Sequence, residues 1–352
     1  MALLVTGATG FLGGHVLQAL RHKLGTLQGV TVLTRSLAAW QATAHSADAA
    51  QAQVVVGSLD APGAWQRPAA APGAPLFAEP LTGIYHLAAV VHHSREGAAA
   101  QHAVNVEGTC NMVRLAGEHG CRLLFVSTSG TVACSRSPDA QPDEHAPYCT
   151  QMVKDWPYYS SKVEAEAQAQ RLATELGVRL IIVRPPMMLG PGDHRGRSSS
   201  TIVRFLRGRQ PFGLRGGMHY VDIRDAAAAL VAAMQHPSPR PVYHLRGTSC
   251  SLSQYFADLG ACANRRPPRF MLPHAVAKVL GALDRNLGQR LYGKPLGLLP
   301  DPVVLEMAAH YWNFASTYAE ADLGFAPRPG RVTLQDCVDW LQLSRPTGRR
   351  GS

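Results

Sequence analysis

Leu3-Leu4-Val5-Thr6-Gly7-Ala8-Thr9-Gly10-Phe11-Leu12-Gly13 opens the chain. Residues 2–5 read as a short apolar strand, and residues 11 to about 22 as an amphipathic helix. Between them Gly7, Gly10 and Gly13 keep the spacing GxxGxxG. Glycine there permits a tight turn, brings backbone N–H groups close to a pyrophosphate and lets the helix pack against the strand. The N-terminus of the helix adds partial positive charge for phosphate. Glycine-rich turns are common, so the weight rests on the position between strand and helix. In that setting the turn is a dinucleotide cradle.

Outward from this unit the same rhythm repeats. Residues 30–33, 53–56, 84–87, 123–126 and 180–183 are short apolar or β-branched runs of the kind buried in parallel sheets. Residues 102–118 have helical periodicity and stop before Gly120, and a second helix ends near Gly177. Strands alternating with helices predict an α/β fold with a doubly wound parallel sheet, of Rossmann type. Residues 61–80, rich in Ala and Pro, look like a surface insertion. Residues 186–217 leave the sheet, 218–247 return to it with a final strand near 242–245, and the chain beyond 248 is mostly helical. The expected division is therefore a dinucleotide-binding domain over 1–185 with 218–247, and a smaller substrate lobe over 186–217 and 248–352.

A chain of 352 residues is long enough for this architecture. It holds no apolar run of the length that spans a bilayer, and its N-terminus lacks a secretory pattern. Its seven cysteines, at 110, 121, 134, 149, 250, 262 and 337, are scattered without a CxxC pair. That reads as reduced thiols in a cytoplasm. The net charge of +10 favours anionic partners. Its Arg and Lys residues are dispersed, apart from Arg349-Arg350, which argues against nucleic acid as a partner. A small-molecule substrate is expected, and a homodimer is left open.

Chemistry is carried by Tyr158 and Lys162, four residues apart in Tyr158-Tyr159-Ser160-Ser161-Lys162. On a helix that spacing points both into one cleft. A free phenol is a poor acid–base group at neutral pH, and a nearby ammonium brings it toward a useful range. Tyr159 cannot replace Tyr158, since Val163 stands four beyond it. Val126-Ser127-Thr128-Ser129-Gly130-Thr131 leaves the fifth strand at the edge where open α/β sheets bind ligands. A hydroxyl there can meet the reacting oxygen, although turn hydroxyls commonly serve the backbone alone. At the end of the second strand Thr34-Arg35-Ser36 stands where NAD-binding chains carry a carboxylate. A guanidinium pairs with a 2′-phosphate, so NADP(H) is favoured, with NAD(H) open.

These residues bring out a resemblance. The chain resembles the extended short-chain dehydrogenases/reductases, the group of 3β-hydroxysteroid dehydrogenases, dihydroflavonol reductases and NAD-dependent epimerases. Beyond the glycine turn and the Tyr158/Lys162 pair, the likeness runs through Tyr85-His86-Leu87-Ala88-Ala89 and Asn105-Val106-Glu107-Gly108-Thr109. It continues in Arg184-Pro185-Pro186, Gly190-Pro191-Gly192 and Val221-Asp222-Ile223-Arg224-Asp225. It ends in Asp322-Leu323-Gly324-Phe325-Ala326-Pro327-Arg328 and Trp340. The resemblance implies that Ser129 is the catalytic serine beside Tyr158 and Lys162, with Thr131 and Met188 on the substrate side. It implies cofactor contacts from Thr9, Phe11 and Leu12 with the three glycines, and from Leu59, Leu87, Ala88, Ala89, Asn105 and Ser127. Lys162 would also hold the nicotinamide ribose, and Pro185 and Met187 would pass near the nicotinamide. One departure stands out. Many members read Gly-Asp-Leu after the third strand, where this chain has Gly57-Ser58-Leu59, leaving Ser58 as the polar contact to the adenine.

Three functions fit these features. The first is a ketone reductase or secondary alcohol dehydrogenase for a largely apolar molecule, favoured by Thr34-Arg35 and by apolar stretches such as Phe270-Met271-Leu272-Pro273 and residues 296–299. The second is a nucleotide-sugar epimerase holding NAD tightly, with Arg204, Arg207, Arg209 and Arg215 as diphosphate contacts. A dehydratase would need a carboxylate beside the serine, where Gly130 has none. The third is a cofactor-sensing binding protein, which the Tyr158/Lys162 pair disfavours. His86, His92 and His93 lack a third ligand at a spacing that suits a metal.

Overall fold

The computed structural model describes residues 2–43, 51–68, 75–77, 79–210, 212–293 and 299–344. Parts of the 61–80 insertion (69–74 and 78), of the 296–299 run (296–298) and the Arg349-Arg350 tail lie outside these residues. The strands in chain order are β1 (Leu3–Thr6), β2 (Val30–Thr34), β3 (Gln53–Val56), β4 (Gly83–His86), β5 (Arg122–Val126), β6 (Leu180–Arg184), β7 (Met187–Leu189), β8 (Phe212–Leu214), β9 (Gly217–Asp222), β10 (Val242–His244), β11 (Thr248–Ser251) and β12 (Phe270–Leu272). The α-helices are α1 (Phe11–Leu24), α2 (Leu37–Gln41), α3 (Ala98–His102), α4 (Gly108–Glu118), α5 (Thr150–Val153), α6 (Pro157–Leu176), α7 (Ser200–Leu206), α8 (Ile223–Gln235), α9 (Leu252–Ala263), α10 (His274–Tyr292), α11 (Pro302–Met307), α12 (Tyr318–Leu323) and α13 (Gly330–Leu343). A π-helical turn, Ala103–Glu107, joins α3 to α4.

Seven strands form one parallel sheet in the order β10-β6-β5-β4-β1-β2-β3. Alternate residues along each strand serve opposite faces. Leu3, Val5, Val30, Val32, Leu124, Val126, Ile181 and Val183 pack with α1 and α8. Leu4, Leu33, Val55, Ile84 and Leu123 pack with α4 and α6 on the other face. Burial on both faces explains why the strands are continuous apolar runs. The strand order reverses between β1 and β4, which is where such sheets open a ligand crevice at their carboxyl ends.

The excursion after β6 is more ordered than its loop-like composition suggests. β7, β9 and β11 make a second sheet, and β8 pairs with β12. The expected return to the main sheet over 218–247 is corrected here. β9 pairs with β7 and β11, so only α8 and β10 rejoin the main domain. Helices α7, α9 and α13 cover the small sheet around Tyr220, Tyr255 and Leu334.

A buried ion pair locks β6 to α6. Arg184 is 3% and Glu166 0% exposed, and Arg184 Nη2 donates to Glu166 Oε2 at 2.6 Å. Arg184 Nη1 also meets His244 Nε2 at 3.3 Å, and His244 Nδ1 meets Ala315 O at 2.9 Å. The network thereby fixes the segment before α12 to β10.

Candidate active site

The glycine turn is built for backbone approach. Gly7 has φ +72°, and a Cβ there would lie 2.7 Å from Ala88 N. A Cβ on Gly13 would lie 2.2 Å from Gly7 O, so the helix can pack this close only with glycine at 13. Gly10 caps α1, with no side-chain cap and no acid in the first turn. The first-turn N–H groups are therefore the donors the site offers to an anion. Leu12 lies in the core, so it serves such an anion through its N–H alone. Phe11 packs edge-on to His15, whose Nε2 meets Pro191 O at 3.0 Å, and Gly190-Pro191-Gly192 is thereby laid across the start of α1.

Behind the turn a buried chain of hydrogen bonds sets the height of the β4 edge. Thr6 Oγ1 meets His86 Nδ1 at 2.9 Å, and His86 Nε2 meets Thr109 Oγ1 at 3.0 Å. The Thr109 proton goes to Asn105 O at 2.6 Å, so Thr109 accepts from Nε2–H and Nδ1 accepts from Thr6. Burial, with Lys162 nearby, pushes His86 down to about 3 and keeps it neutral. Ala88 N donates to Thr6 Oγ1 at 3.2 Å. Ala88, Ala89 and Leu87 thus lie along the crevice, half-buried, next to Gly7.

Asn105 corrects the expectation of a cofactor contact. Its amide is 1% exposed and is spent on Val90 N at 2.8 Å, Val90 O at 3.0 Å and Ser161 Oγ at 3.0 Å. It clamps the segment after β4 to α6. Thr131 is a second correction. Expected on the substrate side, it is 0% exposed and its hydroxyl lies between Thr128 O and Glu166 Oε1, 3.0 Å from each.

Tyr158 and Lys162 do share one helix face, on α6, whose start is set by Pro157. Lys162 is 2% exposed. Its Nζ donates to Val126 O at 2.8 Å and lies 4.4 Å above the Phe125 ring. Burial, partly offset by Glu166, pushes its ammonium down to about 7. Tyr158 is half-buried, and that burial holds its phenol above the ordinary range against the opposing effect of the Thr128 hydroxyl. It is a protonated phenol.

The Thr128 hydroxyl is near enough to the Tyr158 phenol to oppose that shift, next to the Ser129 that the sequence points to. Thr128 is extended and caps a 3-10 turn, Ser129–Thr131, by accepting from Gly130 N at 3.3 Å. Ser129 begins that turn, 3% exposed, and its N–H holds Pro185 O at 2.9 Å. The turn breaks the alternation that would put 127 and 129 together on the cleft side. Ser127 Oγ is buried at the end of β5 with no hydrogen-bond partner.

Tyr159 takes a structural place. Its ring stacks on Trp312 at 5.2 Å, and a Cβ on Gly130 would lie 2.0 Å from it. No carboxylate can therefore stand at 130. His93 belongs to the site although no spacing in the sequence marks it. Its ring meets Tyr158 edge-on at 5.3 Å and stacks on Tyr159 at 5.8 Å. Its Nδ1 is buried without a partner, and burial pushes it down to about 4. Among the described residues no group of three His, Cys, Asp or Glu is placed to hold a metal.

At the far end of the crevice Thr34 is buried, and its hydroxyl donates to Ser36 O at 3.1 Å. Ser36 caps α2 through Ala39 N at 3.3 Å. Arg35 is exposed. The Ser58 hydroxyl donates to Asp60, so the carboxylate missing at 58 stands two residues on. Leu59 is buried against Gly108. Met187 packs with the lobe cluster and Met188 with the main-sheet cluster, the reverse of the expected sides, since neighbours in a strand face opposite ways. Arg204 bonds Arg209 O at 3.4 Å and lies near Asp284, and Arg207, Arg209 and Arg215 are exposed.

The residues present fit a dinucleotide. The turn has no room for a Cβ, the helix above it has no capping side chain, and Ser127 Oγ is unpartnered where the nicotinamide end would lie.

Comparison with known proteins agrees. Residues 3–245 match the family described as NAD dependent epimerase/dehydratase family. Cinnamoyl-CoA reductase 1 of Oryza sativa subsp. japonica is 33% identical over 175 residues, 47% of this chain and 50% of that protein. The 4-hydroxy-2-methyl-3-oxo-4-farnesyl-3,4-dihydroquinoline-1-oxide ketoreductase of Stigmatella aurantiaca is 25% identical over 99% of this chain and 98% of its own. The crystal structure of gox2253 superposes with a TM-score of 0.74 at 24% identity, over 97% of this chain and 98% of that one.

Proposed function

In a chain that belongs to the NAD dependent epimerase/dehydratase family, we propose that this site reduces the ketone of a bulky, largely apolar molecule at the expense of NADPH. The observation that carries the reading is the placing of Tyr158 on one face of α6 with the buried Lys162, its ring edge-on to His93 at 5.3 Å and its phenol kept protonated by burial. A phenol in that form is a proton donor, the role a carbonyl oxygen needs as it gains electrons.

NADPH, when bound, supplies the hydride that goes to the carbonyl carbon. Gly7, Gly10, Gly13 and the first turn of α1 would hold the pyrophosphate, and Arg35 the 2′-phosphate. Ser127 and Lys162 would hold the nicotinamide end. Tyr158 delivers its proton to the carbonyl oxygen while the Thr128 hydroxyl orients the phenol. Asn105 keeps the segment after β4 at the right height. Lys162, when charged, lowers the cost of the phenolate that Tyr158 becomes as its proton leaves.

The substrate class rests on the aromatic and apolar surroundings of Tyr158 and on the ketoreductase relative, whose name gives a farnesylated ketone. Gly130, filled over by Tyr159, disfavours a dehydratase. The test is NADPH absorbance in the presence of bulky apolar ketones. We expect stoichiometric loss, with Tyr158→Phe lowering turnover by about two orders of magnitude or more. Interconversion of sugar epimers without net cofactor consumption would replace this reading with the epimerase one.

A further inference from the structure

Helix α10 buries one side only. Ala277, Gly281, Asp284 and Gly288 face inward, with Leu305 of α11 set against Gly281. The adjoining side carries Val276, Val279, Leu280, Leu283, Leu287 and Leu291, between 39% and 61% exposed. Steps of three and four residues place these six side chains in one stripe. Phe270 of β12, just before the helix, is 72% exposed. Scattered apolar residues are ordinary on a surface, whereas a continuous stripe marks a contact.

The charge of the same stretch is one-sided. Residues 264–293 contain Arg265, Arg266, Arg269, Lys278, Arg285 and Arg290, against a single carboxylate, Asp284. Asp284 is buried and lies near Arg204. The exposed part of the segment therefore presents cations and apolar side chains, and no acid.

Helix α10 is linked to the reacting centre through α11. Arg285 of α10 donates to Asp301 at 3.1 Å, and Asp301 caps α11. The charge of Asp301 is felt by His93, whose ring abuts Tyr158. At the other end of α11, Glu306 accepts from Trp156 Nε1 at 3.1 Å and from Arg95 at 2.8 Å. Trp156 in turn packs on Tyr159.

We propose that the exposed face of α10, with Phe270 and the neighbouring arginines, docks on an anionic lipid bilayer. Apolar side chains over acyl chains and cations over headgroups are the pairing such a helix makes. A second copy would instead set like charges against each other, and each chain already carries +10. No described helix is long and apolar enough to cross a membrane, so α10 lies along the surface. An apolar substrate dissolved in the bilayer would then meet the site at the lipid face; that consequence alone rests on the reductase reading.

The experiment is flotation of the full chain with phosphatidylcholine vesicles, with and without phosphatidylglycerol. The chain should float with the anionic vesicles and weakly with phosphatidylcholine alone. Leu283→Gln with Leu287→Gln should lower partitioning by about tenfold or more, since two apolar insertions are lost. Both side chains are more than half exposed, so the melting temperature should stay unchanged. Arg269→Glu with Arg290→Glu should also weaken flotation. The idea is overturned if the chain does not float, or if the leucine variant floats as well as the parent. It is equally overturned if light scattering finds a dimer that the leucine variant converts to monomer, which would give the stripe to a second copy. Flotation needs no turnover, so its failure leaves the reductase reading standing, and absence of turnover leaves the docking standing.

Discussion

Replacing Thr128 with valine tests the active-site geometry most directly. The threonine hydroxyl acts on the Tyr158 phenol from the end of β5 and accepts from Gly130 N at 3.3 Å. Valine keeps the shape and removes both contacts. The bond to Gly130 is long, so its loss should cost the fold about 0.5–1 kcal/mol, at the weak end for a cap. In a chain of this length that is a drop of about 1–2 °C in melting temperature. Leaving the phenol of Tyr158 without a partner as the proton moves should cost about 1–3 kcal/mol. That corresponds to a fall in kcat/KM of about 5- to 150-fold. Thr128→Ser, which keeps the hydroxyl, should stay within about threefold of the parent. Ser129→Ala should lose less than about fivefold, because Ser129 is 3% exposed within the turn that Thr128 caps. The assay is NADPH absorbance under steady-state conditions, with thermal melts on the same preparations. A hundredfold loss in Ser129→Ala alongside full activity in Thr128→Val would refute the assignment.

Two further predictions address the cofactor and the pH range. Arg35→Ala should weaken NADPH binding by about 1.5–3 kcal/mol, or roughly ten- to a hundredfold in Kd, and leave NADH nearly unchanged; equal loss for both in titration calorimetry would mean that Arg35 does not read the 2′-phosphate. Burial pushes His86 down to about 3 and His93, His219 and His244 to about 4, from an ordinary 6.5. The unfolded chain therefore takes up more protons between those limits, so stability is complete above about pH 6.5 and is lost as the pH falls toward 4. Melting temperature should start to fall near pH 6.5; a flat profile down to about 4.5, where only carboxylates titrate, would contradict the burial of these rings as neutral groups.

Much of the fold was legible because its determinants are local. Strands buried on both faces must be continuous apolar runs, and β2, β3, β5 and β6 fall within a residue or two of the runs at 30–33, 53–56, 123–126 and 180–183. The glycine spacing is legible for the same reason. Only glycine tolerates φ +72° at 7 or a neighbour 2.2 Å from its missing Cβ at 13, and such demands leave a mark in the sequence. Helical geometry likewise makes Tyr158 and Lys162 a pair through their spacing alone. What the sequence could not carry is the direction in which each polar side chain is turned by distant partners. Asn105 and Thr131 face inward because Val90, Ser161 and Glu166 meet them there. Thr128 caps a 3-10 turn that interrupts strand alternation at Ser129, and His93 reaches Tyr158 through a loop clamped from another helix. The strands β7, β8 and β12, three residues each, are too short for a periodic signal and, like β9 and β11, exist through pairing in the small sheets. Local sequence decided the sheet, the cradle and the catalytic helix. Long-range packing decided which polar groups are turned inward and which helix is left with an apolar side in the open.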